Sequence, residues 1–218
     1  MKNLQLAFSI SMIINVILIV CVGVLLYLFH DEIYRKITKN KKFTVVMFGN
    51  SLTSHCNWSE SLNRRDVLNS GLPGFTTYNF IHALDKHVIK HAPKICFVEG
   101  GINDLGVEIP VSEIQKNYRK IISVLIQNKI EPVLQSVLYI DYSQAEVTQQ
   151  INAQVDSLNV FLKKIAQENN LTYIELNKNL SENGRLKMEF HVDGLHLNKK
   201  AYKIWADEVN KILKEKRY

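Results

Sequence analysis

Short apolar runs that alternate with stretches of helical period constrain this chain more than any other feature. Phe43 to Phe48 is rich in β-branched residues and stops at Gly49; Lys94 to Glu99 stops at Gly100-Gly101; Glu131 to Val137 and Leu171 to Leu176 follow. A continuous apolar run of about four to eight residues, bounded by turn residues, reads as a strand buried on both faces. Between these runs, Tyr78 to His91, Ser112 to Asn128 and Val147 to Asn169 carry apolar residues at helical spacing, and Ser112 with Gln115 has the form of a capping box. Asn198 to Lys216 closes the chain as another amphipathic helix, with Ala201, Ile204, Trp205, Val209, Ile212 and Leu213 on its inner stripe. Strands alternating with helices need a parallel sheet covered on both sides. The expectation is therefore an α/β fold, a three-layer α/β/α sandwich around a parallel sheet of about five strands.

Ahead of that region the chain is of another kind. From Leu4 to Phe29 it is apolar except for Gln5, Ser9, Ser11 and Asn15 and carries no charge, and this exceeds the roughly 20 residues needed to span hydrocarbon. Residues 1–30 therefore read as an N-terminal transmembrane or signal-anchor helix; a cleaved signal peptide is the competing reading, and no small-x-small site follows the run. Cys21 falls inside it as a helix core thiol. Residues 31–42 read as a basic juxtamembrane linker and 43–218 as the globular domain. Arg35, Lys36, Lys39, Lys41 and Lys42 sit where cations meet anionic lipid headgroups. The positive-inside rule would hold that cluster, and the domain, on the cytoplasmic side with only Lys2 opposing, so the side of the membrane stays open.

The formal charge of +6 raises the question of nucleic acid, but residues 1–42 contribute +4 of it and the globular part is nearly balanced. A nucleic-acid partner has little support. Three Cys and seven His residues show no disulfide framework, no HxxxH and no paired-Cys spacing, so neither a metal nor a cofactor is expected.

The polar residues that bear on chemistry fall after strands, where sites gather in a parallel sheet. Gly49-Asn50-Ser51 follows the first strand, which stands Ser51 on a turn with its hydroxyl exposed; a Ser there also commonly caps the next helix. Asn69-Ser70-Gly71-Leu72-Pro73-Gly74 follows the short apolar piece Asp66 to Leu68, and a Gly there leaves a backbone N–H free to face a ligand. Gly100-Gly101-Ile102-Asn103-Asp104 puts an Asn amide at the same edge. Near the end, Asp193-Gly194-Leu195-His196 spaces a carboxylate three residues before an imidazole, so that one ring nitrogen can face the acid and the other a nucleophile.

In order and approximate spacing these four blocks resemble the SGNH or GDSL-type hydrolase family across residues 43–218. Thr76-Thr77, Trp58, Tyr202 and Trp205 add a pattern similar to the branch with platelet-activating-factor acetylhydrolase-like domains. The resemblance implies an SGNH, flavodoxin-like fold and a serine esterase of the GDSL lipase type, with Ser51, Asp193 and His196 as catalytic residues. It assigns the oxyanion hole to the backbone N–H groups of Ser51 and Gly71 and the side-chain amide of Asn103. Asn50 departs from the pattern, standing where Asp is usual; the shape stays and the charge goes.

The implied activity is that of a membrane-anchored acylhydrolase cleaving a small acyl ester carried by a carbohydrate or a lipid. An O-acyltransferase acting on a glycan would use the same site, and a binding module that has lost catalysis is the non-enzymatic alternative. His55-Cys56 lies close to Ser51 without a base pattern and reads as loop or pocket wall; His191 lacks an Asp three residues before it and reads as pocket or surface; Glu99 reads as loop support. The loops at 57–65, 106–111 and 139–146 are the expected pocket walls, with Trp58, Tyr139 and Tyr142 as candidates to line the opening.

Overall fold

The computed structural model describes residues 42–218, together with Leu18. Apart from Leu18, the expected anchor at 1–30, with Cys21, and the basic cluster from Arg35 to Lys41 lie outside the described residues. Among the described residues no helix is long and apolar enough to cross a membrane.

The elements run β1 (Val45–Gly49), α1 (Ser51–Ser54), α2 (Trp58–Ser61), β2 (Val67–Gly71), α3 (Thr77–His87), β3 (Ile95–Val98), α4 (Ile102–Gly106), α5 (Val111–Gln127), β4 (Glu131–Gln135), α6 (Ala145–Glu168), β5 (Thr172–Ile174), α7 (Asn177–Leu180), β6 (Ser181–Glu182), β7 (Arg185–Leu186) and α8 (Lys199–Glu215). The five strands of the main sheet are all parallel, in the order β2-β1-β3-β4-β5. Parallel crossovers are right-handed, so α3, α5 and α6, which carry the chain one way across the sheet, lie on one face. The link from β1 to β2 runs the other way and places α2 on the opposite face, where α8 packs on it. Both faces of β1 and β3 are buried in consequence, which is why their sequences are apolar runs rather than alternating ones.

β2 runs longer than its apolar core at 67–68 because its last residues pair with β1 in register, Phe48 with Ser70 and Gly49 with Gly71. At an edge one face is solvated, and polar residues are accepted there. The small antiparallel ribbon β6–β7 is too short to leave a sequence period. The capping box expected at Ser112 and Gln115 does not form. α5 begins at Val111 with Pro110 as its cap, a residue suited to a helix start because no partner is needed for its missing N–H. It is at α3 that a side chain reaches back over the helix start: Asn79 Oδ1 accepts from the Thr76 N–H at 3.0 Å and from its hydroxyl at 2.8 Å.

The order of strands decides where a site can be. The chain leaves β1 toward β2 on one side and reaches β3 on the other, and the crevice opens where these directions part, at the C-terminal ends of β1 and β3. The loops leaving those two ends carry Ser51 and Asn103.

Candidate active site

Asn50 closes β1 and caps α1, its Oδ1 accepting the Leu52 N–H at 2.8 Å. Ser51 is therefore the first residue of that helix, and the Ser does not itself cap. The hydroxyl is less open than a turn at the sheet edge implies: Ser51 is only 9% exposed, because the loop bearing His196 closes over it. Ser51 Oγ lies 3.0 Å from His196 Nε2. Beneath α1, Tyr202 donates to the Leu52 carbonyl at 2.7 Å and Trp58 Nε1 to the Thr53 carbonyl at 2.8 Å. Trp58, Tyr202 and Trp205 stack and edge against one another as a buried brace. Trp58 thus supports the Ser51 turn from below and does not line an opening.

The Asp193-to-His196 turn shows what the three-residue spacing does. One carboxylate oxygen, Oδ1, accepts the backbone N–H groups of Leu195 at 3.0 Å and His196 at 2.7 Å, and the other, Oδ2, lies 2.7 Å from His196 Nδ1. Burial pulls the Asp193 carboxyl upward, but these bonds from His196 and Leu195 outweigh it and hold the group at about 2. An ionised carboxylate only accepts, so His196 Nδ1 carries the ring proton and Nε2 presents its lone pair to the Ser51 hydroxyl. The relay is graded in exposure, from the nearly buried Ser51 to an Asp193 side chain that is 51% exposed.

Asn103 stands on α4 with its amide fixed, Nδ2 donating to the Phe75 carbonyl at 3.0 Å. Asp104 beside it is buried and accepts the Thr77 N–H with both oxygens at 3.0 Å and the Thr77 hydroxyl at 2.5 Å. That junction ties the start of α3 to the block after β3; burial, partly offset by the Thr77 bonds, pushes the Asp104 carboxyl up.

Gly71 does not meet the requirement of a free donor. Its N–H already donates to Asn69 Oδ1 at 3.0 Å, and a Cβ at this position would overlap the Ser54 backbone, so Gly71 is small because α1 packs on β2. Gly74, three residues on, has φ of +77° and open space where a Cβ would point. It lines a cleft of 460 Å³ together with Asn103, Ile102, Val107, Ile151 and Leu195. The signal that separates the two glycines is backbone conformation, which no residue name carries. Of the expected walls, Gly106, Val107, Ile140 and Tyr142 do line this cleft, whereas the 57–65 loop does not. Tyr139 bonds Asp156 and opens on another surface.

The competing residues are also placed. His55 lies with its ring 5.1 Å from that of His196, at the wall of the site. Cys56 is buried, bonds Ser61 at 3.5 Å, and burial pushes its thiol up, the reverse of what a nucleophile needs. Cys96 is buried in β3 and pushed up by burial alone. Glu99, at the end of β3, accepts from Asn50 Nδ2 at 3.5 Å and Thr53 Oγ1 at 3.4 Å. Full burial pushes this carboxyl to about 8 although bonds from Thr53 and Asn50 oppose it, which favours the neutral form beneath the Ser51 turn at pH 7. Asn50, like Thr53, can donate to it; an Asp at 50 would set a second carboxyl there. Among the described residues no group of three or more His, Cys, Asp or Glu side chains converges to hold a metal ion.

Residues 45–204 match the GDSL-like Lipase/Acylhydrolase family. The chain belongs to that family. It is 26% identical to the isoamyl acetate-hydrolyzing esterase of Saccharomyces cerevisiae over 71% of each chain. It is also 26% identical to an N-acylneuraminate cytidylyltransferase of Streptococcus agalactiae over 83% of this chain; the match spans 43% of that relative, less than half its length. Among solved structures, a GDSL-like lipase from Bacteroides thetaiotaomicron superposes with a TM-score of 0.72 at 22% identity, covering 82% of this chain and 90% of that one. A lipase/acylhydrolase from Enterococcus faecalis gives 0.70 at 23%, covering 80% and 96%.

Proposed function

We propose that residues 43–218 hydrolyse a small acyl ester through an acyl intermediate on Ser51. The observation that carries the reading is the relay from Ser51 Oγ to His196 Nε2 and from His196 Nδ1 to Asp193, at 3.0 and 2.7 Å. His196 takes the Ser51 proton as Oγ attacks the carbonyl carbon, and Asp193 stabilises the imidazolium. The tetrahedral oxyanion takes the N–H of Ser51, which as the first helical residue has no intrahelical acceptor, and the amide hydrogen of Asn103 not bound to Phe75. The third donor in this reading is Gly74 in place of Gly71. Each such donor lowers the barrier by roughly 3 kcal/mol. His196 then gives its proton to the leaving alcohol; water attacks the acyl carbon as His196 takes a proton from it, and that proton passes to Ser51 Oγ as the bond to the acyl group breaks and the acid leaves.

The substrate is an acyl ester of a carbohydrate or a lipid. Support for an apolar part comes from the aliphatic cleft beside Asn103, and from a yeast relative named for hydrolysing isoamyl acetate. Support for a sugar comes from the streptococcal relative, named for N-acylneuraminate. Attachment to a membrane by residues 1–30, with Arg35, Lys36, Lys39, Lys41 and Lys42 against anionic lipid, belongs to the same proposal and rests on the uncharged run Leu4 to Phe29. The test is Ser51→Ala: turnover of p-nitrophenyl acetate disappears while thermal unfolding is unchanged, and retained turnover in the purified variant removes Ser51 from the mechanism.

A further inference from the structure

The loop that carries the relay is held from outside by residues the mechanism does not use. Gly194 lies between Asp193 and His196 with φ of +89°. Its carbonyl accepts the Asp141 backbone N–H at 2.7 Å, and its own N–H donates to His191 Nδ1 at 2.9 Å. Since a backbone N–H only donates, His191 Nδ1 is unprotonated and the ring proton sits on Nε2, which lies 3.3 Å from Asp141 Oδ2. The other oxygen of Asp141 accepts from Arg185 Nε at 2.6 Å, and Arg185 Nη2 donates to the Tyr142 carbonyl at 3.3 Å. His191 and Asp141 are largely enclosed, with side chains 12% and 18% exposed. Three segments meet here: the chain after β4, the β6–β7 ribbon and the relay loop. The fit leaves no slack, because a Cβ on Gly194 would come within 2.6 Å of the Asp141 carbonyl oxygen.

We infer that His191 is a positioning residue for catalysis, accepting the Gly194 N–H so that Asp193 and His196 stay aligned on Ser51, with Asp141 and Arg185 fixing its ring. The loop needs such a hold because Asp193, its outermost member, is half exposed and gains little from packing. His196 must meet Ser51 within hydrogen-bond reach, and misplacement by about 1 Å can lower a rate by about 100-fold. The β6–β7 ribbon gains a role as well, since β7 delivers Arg185 to Asp141.

The inference rests on the serine-hydrolase reading, and two isosteric variants separate the two. Asn at 191 places an amide oxygen where Nδ1 was, keeping the acceptor for Gly194; Gln places its amide near Nε2, keeping the contact with Asp141 and losing that acceptor. With p-nitrophenyl acetate, kcat is expected to fall roughly 10- to 100-fold in His191→Ala and His191→Gln with KM nearly unchanged, and His191→Asn to stay within about threefold of wild type. Thermal unfolding of each variant reports folding separately; if the Ala variant does not fold, the Asn-against-Gln comparison carries the test. Equal losses in Asn and Gln, or wild-type kcat in Gln, overturn the inference. A wild type that does not turn over the ester and takes no label at Ser51 overturns the hydrolase reading beneath it.

Discussion

Replacing Glu99 by Gln should remove the share of this domain's stability that is lost as pH rises from the ordinary carboxylate range to about 8. Glu99 is fully buried at the end of β3, and burial holds its carboxyl neutral up to about 8 although Thr53 and Asn50 favour the charged form. Between the ordinary carboxylate range and pH 8 the folded chain keeps a proton that the unfolded chain has released, so stability falls as pH rises through that window and levels off above it. At about 1.4 kcal/mol per pH unit, a displacement from 4.5 to about 8 amounts to about 5 kcal/mol at its limit. Gln is neutral at every pH but can accept through one atom only, so one of the two bonds from Asn50 and Thr53 is lost, at a cost of about 1 kcal/mol. The two stability curves must therefore cross. Urea or thermal unfolding at pH 5 should find the Gln variant slightly less stable, and at pH 8.5 more stable by several kcal/mol, on the order of 10 °C in Tm. Curves that run parallel from pH 5 to 9 would refute the reasoning, showing that Glu99 charges early or is reached by water.

Other expectations follow from the same geometry. Asn50→Asp places a second carboxyl against Glu99, and its loss of stability should be larger at pH 8.5 than at pH 5, read by the same unfolding assay; an equal loss at both would remove charge from the account. Gly71→Ala should destabilise by about 1–3 kcal/mol through its overlap with the Ser54 backbone. Gly74→Ala, with φ of +77°, should instead lower kcat by roughly tenfold or more for a smaller change in Tm; the reverse pattern would return the oxyanion donor to Gly71. Asp193→Asn should lower kcat by on the order of 10⁴ with the fold intact, measured with p-nitrophenyl acetate.

Much of this was legible in the sequence because each part had a local cause. β1 and β3 are apolar runs since both faces of the sheet are covered, and Asp193 and His196 meet through one turn of chain. What the sequence hid depends on what other segments do. That Trp58 braces α1 rather than lining an opening depends on Tyr202 and Trp205, more than 140 residues away along the chain. Gly71 and Gly74 differ only in backbone angle and neighbours, and Ser51 is nearly buried because a distant loop folds over it. His191 carries no motif; its place follows from Asp141 and Arg185. Glu99 was legible as support for a loop, but its neutrality needed the depth of burial.

The central claim is that Ser51 forms the covalent intermediate, activated by His196 and Asp193. Folded protein treated with a fluorophosphonate, followed by intact mass and peptide mapping, tests this directly. The account predicts a single adduct on Ser51, formed far more slowly in His196→Ala and absent in Ser51→Ala. An adduct on another residue, or none in folded wild type, would contradict it.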